Sequence, residues 1–174
     1  MRVAIFTEGS STRGKSTESY TEHFEGSFLS VNTAIDDLSS YCETETHILS
    51  EDHGYIRGDD KVKSDPSPNT EEEIEHFVDS LLSNLDDFDV VVLLFTTDVF
   101  ENIIASNWDK IVENGKEESI WCIGTSRSAL NSIDIEELER NHPVLIYQRR
   151  GVARIGTETR EELVELIRNR IDES

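Results

Sequence analysis

Cysteine, proline, lysine and positive charge are all scarce in this chain of 174 residues. There are 2 Cys and 3 Pro, and only 5 of the cationic residues are lysine. Cys42 and Cys122 fall on separate predicted elements, which excludes a disulfide scaffold and leaves two buried free thiols as the simpler expectation. No apolar run approaches the ~20 residues of a membrane span, so no membrane partner is expected. Met1-Arg-Val-Ala-Ile-Phe6 reads directly as a strand with no leader before it, which points to a cytoplasmic protein. Against 37 Asp plus Glu stand 16 Lys plus Arg, a formal net charge of −21. A broad basic face for duplex nucleic acid is therefore not expected, although nucleic acid stays open as a partner.

The excess of acid is spread along the whole chain rather than gathered in a tail. Disorder would require an absence of apolar periodicity, and the 36% of hydrophobic residues form ordered runs. A protein of a salt-in (halophilic) cytoplasm accounts for both features, because molar cations screen the mutual repulsion of the carboxylates. Acidity is then background and carries little information about partners.

Strand-like runs alternate with helical patterns from end to end. The strands read as Val3–Thr7, Thr46–Leu49, Val90–Phe95, Ile120–Ile123 and Val144–Tyr147, with Val152–Ile155 as a candidate sixth, antiparallel across the turn Tyr147–Val152. Val90–Phe95 is apolar without interruption, as befits a central strand covered on both faces. Thr70 and Glu73 form a capping box ahead of an apolar stripe running from Ile74 through Phe77 and Leu81 to Leu85. A second helix is expected to start beside Asp98 and stop at Gly115, and a third to be capped by Thr159 with Glu162. This alternation predicts one α/β domain over residues 1–174, a three-layer sandwich of about five mostly parallel strands with helices on both faces. Trp108 and Trp121 belong to its core. Ligands in such sheets bind beyond the carboxyl ends of the strands.

The loop after the first strand, Gly9-Ser-Ser-Thr-Arg-Gly14-Lys15-Ser16, matches the phosphate-loop pattern letter for letter. In that reading Gly9, Ser11, Thr12, Arg13 and Gly14 wrap their backbone around phosphates and Lys15 neutralises the β/γ charge. Ser16 with Asp98 would hold Mg²⁺, the expected cofactor alongside a nucleoside triphosphate. The helix to follow, Thr17–Phe24, is polar where such a helix is normally buried, and Gly26 interrupts it. The competing reading is a Ser/Gly loop whose match is coincidental.

The first sixty residues also resemble an uncharacterised α/β family of bacteria and archaea. Its pattern is an N-terminal strand, Cys-Ser-x-x-Lys, an aromatic-bearing helix and Leu-Ser-x-x-x-Gly-Leu. Ser11-Thr-Arg-Gly-Lys15 stands at the first motif without its Cys, so any thiol role is lost. Tyr20 with Gly26-Ser-Phe28 stands in the helical part, and Ile48-Leu-Ser50-Glu-Asp-His-Gly54-Tyr-Ile56 at the third motif. The resemblance implies a site lined by Ser50, Asp52, His53 and Asp59, and a loose link to proteins acting on nucleobases in DNA or modified tRNA. His53 is the candidate proton carrier there, because histidine titrates near neutrality; a solvated loop histidine is the plainer alternative.

The few cations are also informative. Arg13 and Lys15 on the first loop, Arg127 on the fourth and Arg149-Arg150 on the last would converge on one rim, suited to an anionic small molecule such as a nucleotide or phosphorylated nucleoside. Ordinary surface pairing with nearby carboxylates is the bland alternative. Three functions thus compete. The first is nucleotide or nucleoside-phosphate binding through Gly9–Ser16, with NTP-dependent transfer or hydrolysis. The second is a nucleobase- or nucleic-acid-modifying enzyme using Asp52 and His53, and the third a non-catalytic interaction module.

Overall fold

The computed structural model describes residues 1–65, 67–148 and 154–174. Six strands form one sheet in the order β3-β2-β1-β4-β5-β6. They are β1 Arg2–Glu8, β2 Glu43–Ser50, β3 Gly54–Arg57, β4 Val90–Leu94, β5 Ile120–Thr125 and β6 Val144–Gln148. All neighbouring pairs are parallel except β2 with β3. The helices are α1 Tyr20–His23, α2 Leu29–Ser39, α3 Glu71–Asn84, α4 Thr97–Val99, α5 Trp108–Asn114, α6 Arg127–Leu130, α7 Ile135–Glu139 and α8 Thr157–Asp172. A π-turn over Phe100–Ile104 and a 3₁₀ turn over Ala105–Asn107 join α4 to α5.

Alternation along β1 divides the interior in two. Ala4 and Phe6 face a core completed by Phe77 and Leu81 of α3, Trp108 and Ile111 of α5 and Leu138 of α7. Val3 and Ile5 face the other, built with Tyr20, Phe24, Val31 and Leu38 from α1, α2 and the turn between strand and helix, and Leu163 and Ile167 of α8. Burial of each such side chain stabilises the fold by about 1.5–3 kcal/mol. Helices therefore cover both faces of a mostly parallel sheet, as the alternation predicts. Trp108 and Trp121 are core residues at 4% and 0% exposure. Both cysteines are free, with Cys122 buried and Cys42 partly exposed. No helix among the described residues is long and apolar enough to cross a membrane.

Several boundaries differ from the sequence reading. The antiparallel edge strand is β3, a four-residue piece after Ser50. Of the expected strand Val152–Ile155, residues 152 and 153 lie outside the described residues, and Arg154 and Ile155 belong to no strand. The capping box at Thr70 is present, its hydroxyl accepting from Glu73 N. Thr159, by contrast, lies inside α8, which begins at Thr157 after Gly156; a Cβ at Gly156 would collide with the Tyr147 ring, so packing sets this entry and no side-chain cap does. The helix expected at Asp98 begins one residue earlier, with Thr96 as its cap.

His47 of β2 packs inside the first core, stacked on Phe6 at 4.6 Å and on Tyr55 at 6.0 Å between ring centroids. Its Nδ1 shares a hydrogen bond of 2.7 Å with the Tyr55 hydroxyl, which in turn bonds Ser80 Oγ at 2.8 Å. Burial, then the Arg57 charge, lowers its pKa to about 4. The native state thus refuses a proton that the unfolded chain accepts below about 6.5. Acidification from pH 7 to 5 should cost wild type ~2 kcal/mol more unfolding free energy than His47→Gln, measured by denaturant titration at fixed salt. Equal losses in the two proteins would refute this.

Candidate functional site

β1 is paired on one side with β2 and on the other with β4, so chain order reverses between β1 and β4. Crevices at such reversals, beyond the carboxyl ends of the strands, are where open α/β sheets take ligands. A cleft of about 240 Å³ lies there, lined by residues of the β1 end (Glu8, Gly9, Ser10, Ser11, Arg13), of the β2 end (Leu49, Ser50, Glu51, Asp52), by Ser27 and Phe28, and by Thr96.

Glu8 is the residue that sequence reasoning missed. The β1–β4 register ends at Thr7 opposite Leu94, which carries the next side chain of β1 over the turn leaving β4. There the Glu8 carboxylate accepts from Thr96 N at 2.5 Å and from Thr96 Oγ1 at 3.0 Å. Burial raises its pKa, the charges of Glu51 and Asp98 push the same way, and the two Thr96 bonds oppose them. A half-buried carboxylate with a raised pKa, held in a ligand crevice, is placed to exchange a proton. The signal in the sequence was an acid closing an otherwise apolar strand, hidden among 37 acids.

Gly9 is required by close approach. Its N–H donates to Leu49 O at 3.0 Å, and a Cβ there would lie 2.9 Å from the Phe24 ring. Downstream, Gly14 N donates to His23 O at 2.7 Å and Glu25 N to Thr12 O at 2.9 Å, an antiparallel bridge pairing Arg13 with Phe24. The helix expected from Thr17 to Phe24 is therefore corrected: the chain bends at Lys15 and Glu18 without forming a helix, and α1 begins only at Tyr20, capped by Ser19. The N–H groups of Gly9 and Gly14 serve the fold instead of converging on an anion. Lys15 is exposed, and the Ser16 hydroxyl donates to Glu22 at 2.9 Å.

The structure brings Gly9, Ser11, Arg13, Ser50 and Asp52 to the cleft, with Arg13 ion-paired to Asp52. Thr12, Gly14, Lys15, Ser16, Asp98 and Arg127 are not among its lining residues. Asp98 is exposed on α4, its charge felt by Glu8, and Arg127 is exposed as the first residue of α6. Arg149 and Arg150 lie outside the described residues. No group of three or more His, Cys, Asp or Glu side chains among the described residues is placed to hold a metal ion.

His53 is no solvated loop residue. It is 8% exposed and sits behind the Arg13–Asp52 wall, its ring edge-on to Tyr20 at 5.1 Å and to His23 at 6.1 Å. Burial, then the charges of Arg13, His23 and Lys63, lower its pKa. The cleft itself carries three carboxylates, Glu8, Glu51 and Asp52, against the single guanidinium of Arg13. Comparisons of the chain with family models, curated proteins and solved structures find no match.

Because Glu8 ionises less readily in the native state, wild type should gain stability relative to Glu8→Gln as pH falls from 8 through its raised pKa toward ~4.5, the ordinary Glu value. Parallel denaturation curves of the two proteins test this; a constant difference across the range would show that Glu8 is not perturbed.

Proposed function

We propose that this chain binds a nucleobase or nucleoside in the switch-point cleft, with Glu8 as the group that takes or gives a proton in a reaction on it. The observation that carries the reading is the Glu8 carboxylate, half-buried at the reversal of strand order and held by Thr96. Base edges offer N–H donors to such an acceptor, as sugar hydroxyls do to the serines, and Phe28 and Leu49 supply apolar surface for a ring. A cleft holding three carboxylates and one already paired guanidinium repels a triphosphate. The family resemblance, with its link to nucleobase chemistry, points the same way.

A thermal-shift panel in molar KCl tests the reading with nucleobases, nucleosides and, with Mg²⁺, ATP and GTP. At 100 times its dissociation constant a ligand stabilises by about 2.7 kcal/mol. Bases or nucleosides should stabilise wild type and Lys15→Ala alike and lose at least tenfold in affinity on Glu8→Gln. Stabilisation by ATP or GTP alone, abolished by Lys15→Ala and kept by Glu8→Gln, would overturn this in favour of the Gly9–Ser16 phosphate loop. No stabilisation by any compound would leave the chain an interaction module.

A further inference from the structure

Thr96 stands at the turn from β4 into α4 with its backbone fixed. Its carbonyl accepts from Phe100 N at 3.0 Å, and the next hydroxyl, Thr97 Oγ1, donates to Ser126 Oγ at 2.7 Å. Ser19, Thr70, Ser126 and Asp134 each open a helix by accepting a backbone N–H on the side chain. Thr96 holds the same position ahead of α4, yet its hydroxyl caps nothing. It lines the cleft and donates to Glu8 instead, and nothing among the described residues bonds to its lone pairs.

The two donors on Glu8 differ in what they can do. Thr96 N–H, on Oε2, can only donate, whereas the Thr96 hydroxyl, on Oε1, can donate or accept. Ionised Glu8 accepts from both. A proton added at Oε2 would weaken that oxygen as an acceptor for the N–H. A proton added at Oε1 lets the acid donate to Oγ1 while Oε2, now the carbonyl oxygen, keeps the N–H. The neutral acid therefore carries its proton on Oε1 and turns the Thr96 hydroxyl round, which frees the hydroxyl hydrogen for the cleft. The charged groups around Glu8 are Glu51 from the chain after β2 and Asp98 of α4, with Arg13 and Asp52 also lining the cleft. None of them is hydrogen-bonded to Glu8 among the described residues.

We infer that Thr96 Oγ1 is the atom through which Glu8 exchanges its proton with the ligand. A ligand N–H donates to Oγ1, and its proton passes to Oγ1 as the Thr96 proton passes to Oε1. The electron pair of the N–H bond stays on the ligand nitrogen, and the regenerated hydroxyl donates to it. The ligand in this step rests on the proposed nucleoside reading; the reversal of the hydroxyl does not. Glu8→Gln locks the hydroxyl outward. Its amide oxygen must face the Thr96 N–H, so its amide N–H faces Oγ1 and the freed hydroxyl meets a ligand N–H donor to donor.

Denaturant titration in molar KCl tests the reversal without ligand. The background is the drop in midpoint that Thr96→Val causes in Glu8→Ala, where residue 8 cannot bond a hydroxyl. With Glu8 present the drop should exceed that background at pH 8 and at pH ~4.5 alike, because both forms of Glu8 bond Thr96. Thr96→Ser, which keeps the hydroxyl, should show no such excess. A drop that falls to the background at the lower pH overturns the inference. Calorimetric titration with nucleobases and nucleosides tests the exchange. Thr96→Val should lose about tenfold in affinity, ~1.4 kcal/mol, and Thr96→Ser no more than about twofold. Binding untouched by Thr96→Val overturns the exchange and keeps the nucleoside reading. An excess drop at both pH values without binding of any base or nucleoside keeps the reversal and rejects that reading, and the ligand step with it.

Discussion

β1 is hydrogen-bonded along both edges, in parallel to β2 and to β4, and helices bury both of its faces. With every backbone group and side chain of its middle accounted for, this strand has no freedom of register. A slip by one residue would exchange Val3 and Ile5 for Ala4 and Phe6 between the two cores. Its last residue, Glu8, is therefore delivered to one place, the gap where the chain turns away from β1 and β4 in opposite senses. The cleft, the raised pKa of Glu8 and the close approach of Gly9 to Phe24 all follow from that fixed register.

Around this point the chain uses the same hydroxyl chemistry for opposite purposes. Thr70, Ser19 and Ser126 cap helices and are consumed by the fold. Ser10, Ser11, Ser27 and Ser50 line the cleft with the Arg13–Asp52 pair as one wall. Behind that wall the aromatic rings of Tyr20 and His23 hold His53 edge-on. The cleft and the buried histidine thus belong to different parts of the local structure, one made by strand ends and the other by a short helix and the chain after β3.

Much of the fold was legible because it depends on periodicity. The apolar runs from Val3, Val90 and Ile120 marked strands, and the stripe from Ile74 to Leu85 marked α3. Gly54–Arg57 was not legible, since four residues are too few to display alternation and their strand character comes from pairing with β2. Thr159 carried a capping pattern, but the contact of Gly156 with Tyr147 decided where α8 begins. At the cleft, Ser50 and Asp52 could be named from a motif, whereas Glu8 could not, because nothing in its local sequence separates it from the rest of the 37 acids. The phosphate-loop letters misplaced a helix for a related reason: the conformation of residues 12–14 is set by residues 23–25, beyond the reach of the pattern.

The bonds from Thr96 to Glu8 join positions 88 residues apart in the chain. Neither segment alone provides this environment: residues near the start of the chain supply the acid, and residues of its middle supply both donors. The setting of this one side chain is therefore a property of the closed sheet, so any change that separates β1 from β4 must also return Glu8 to the condition of an ordinary surface acid.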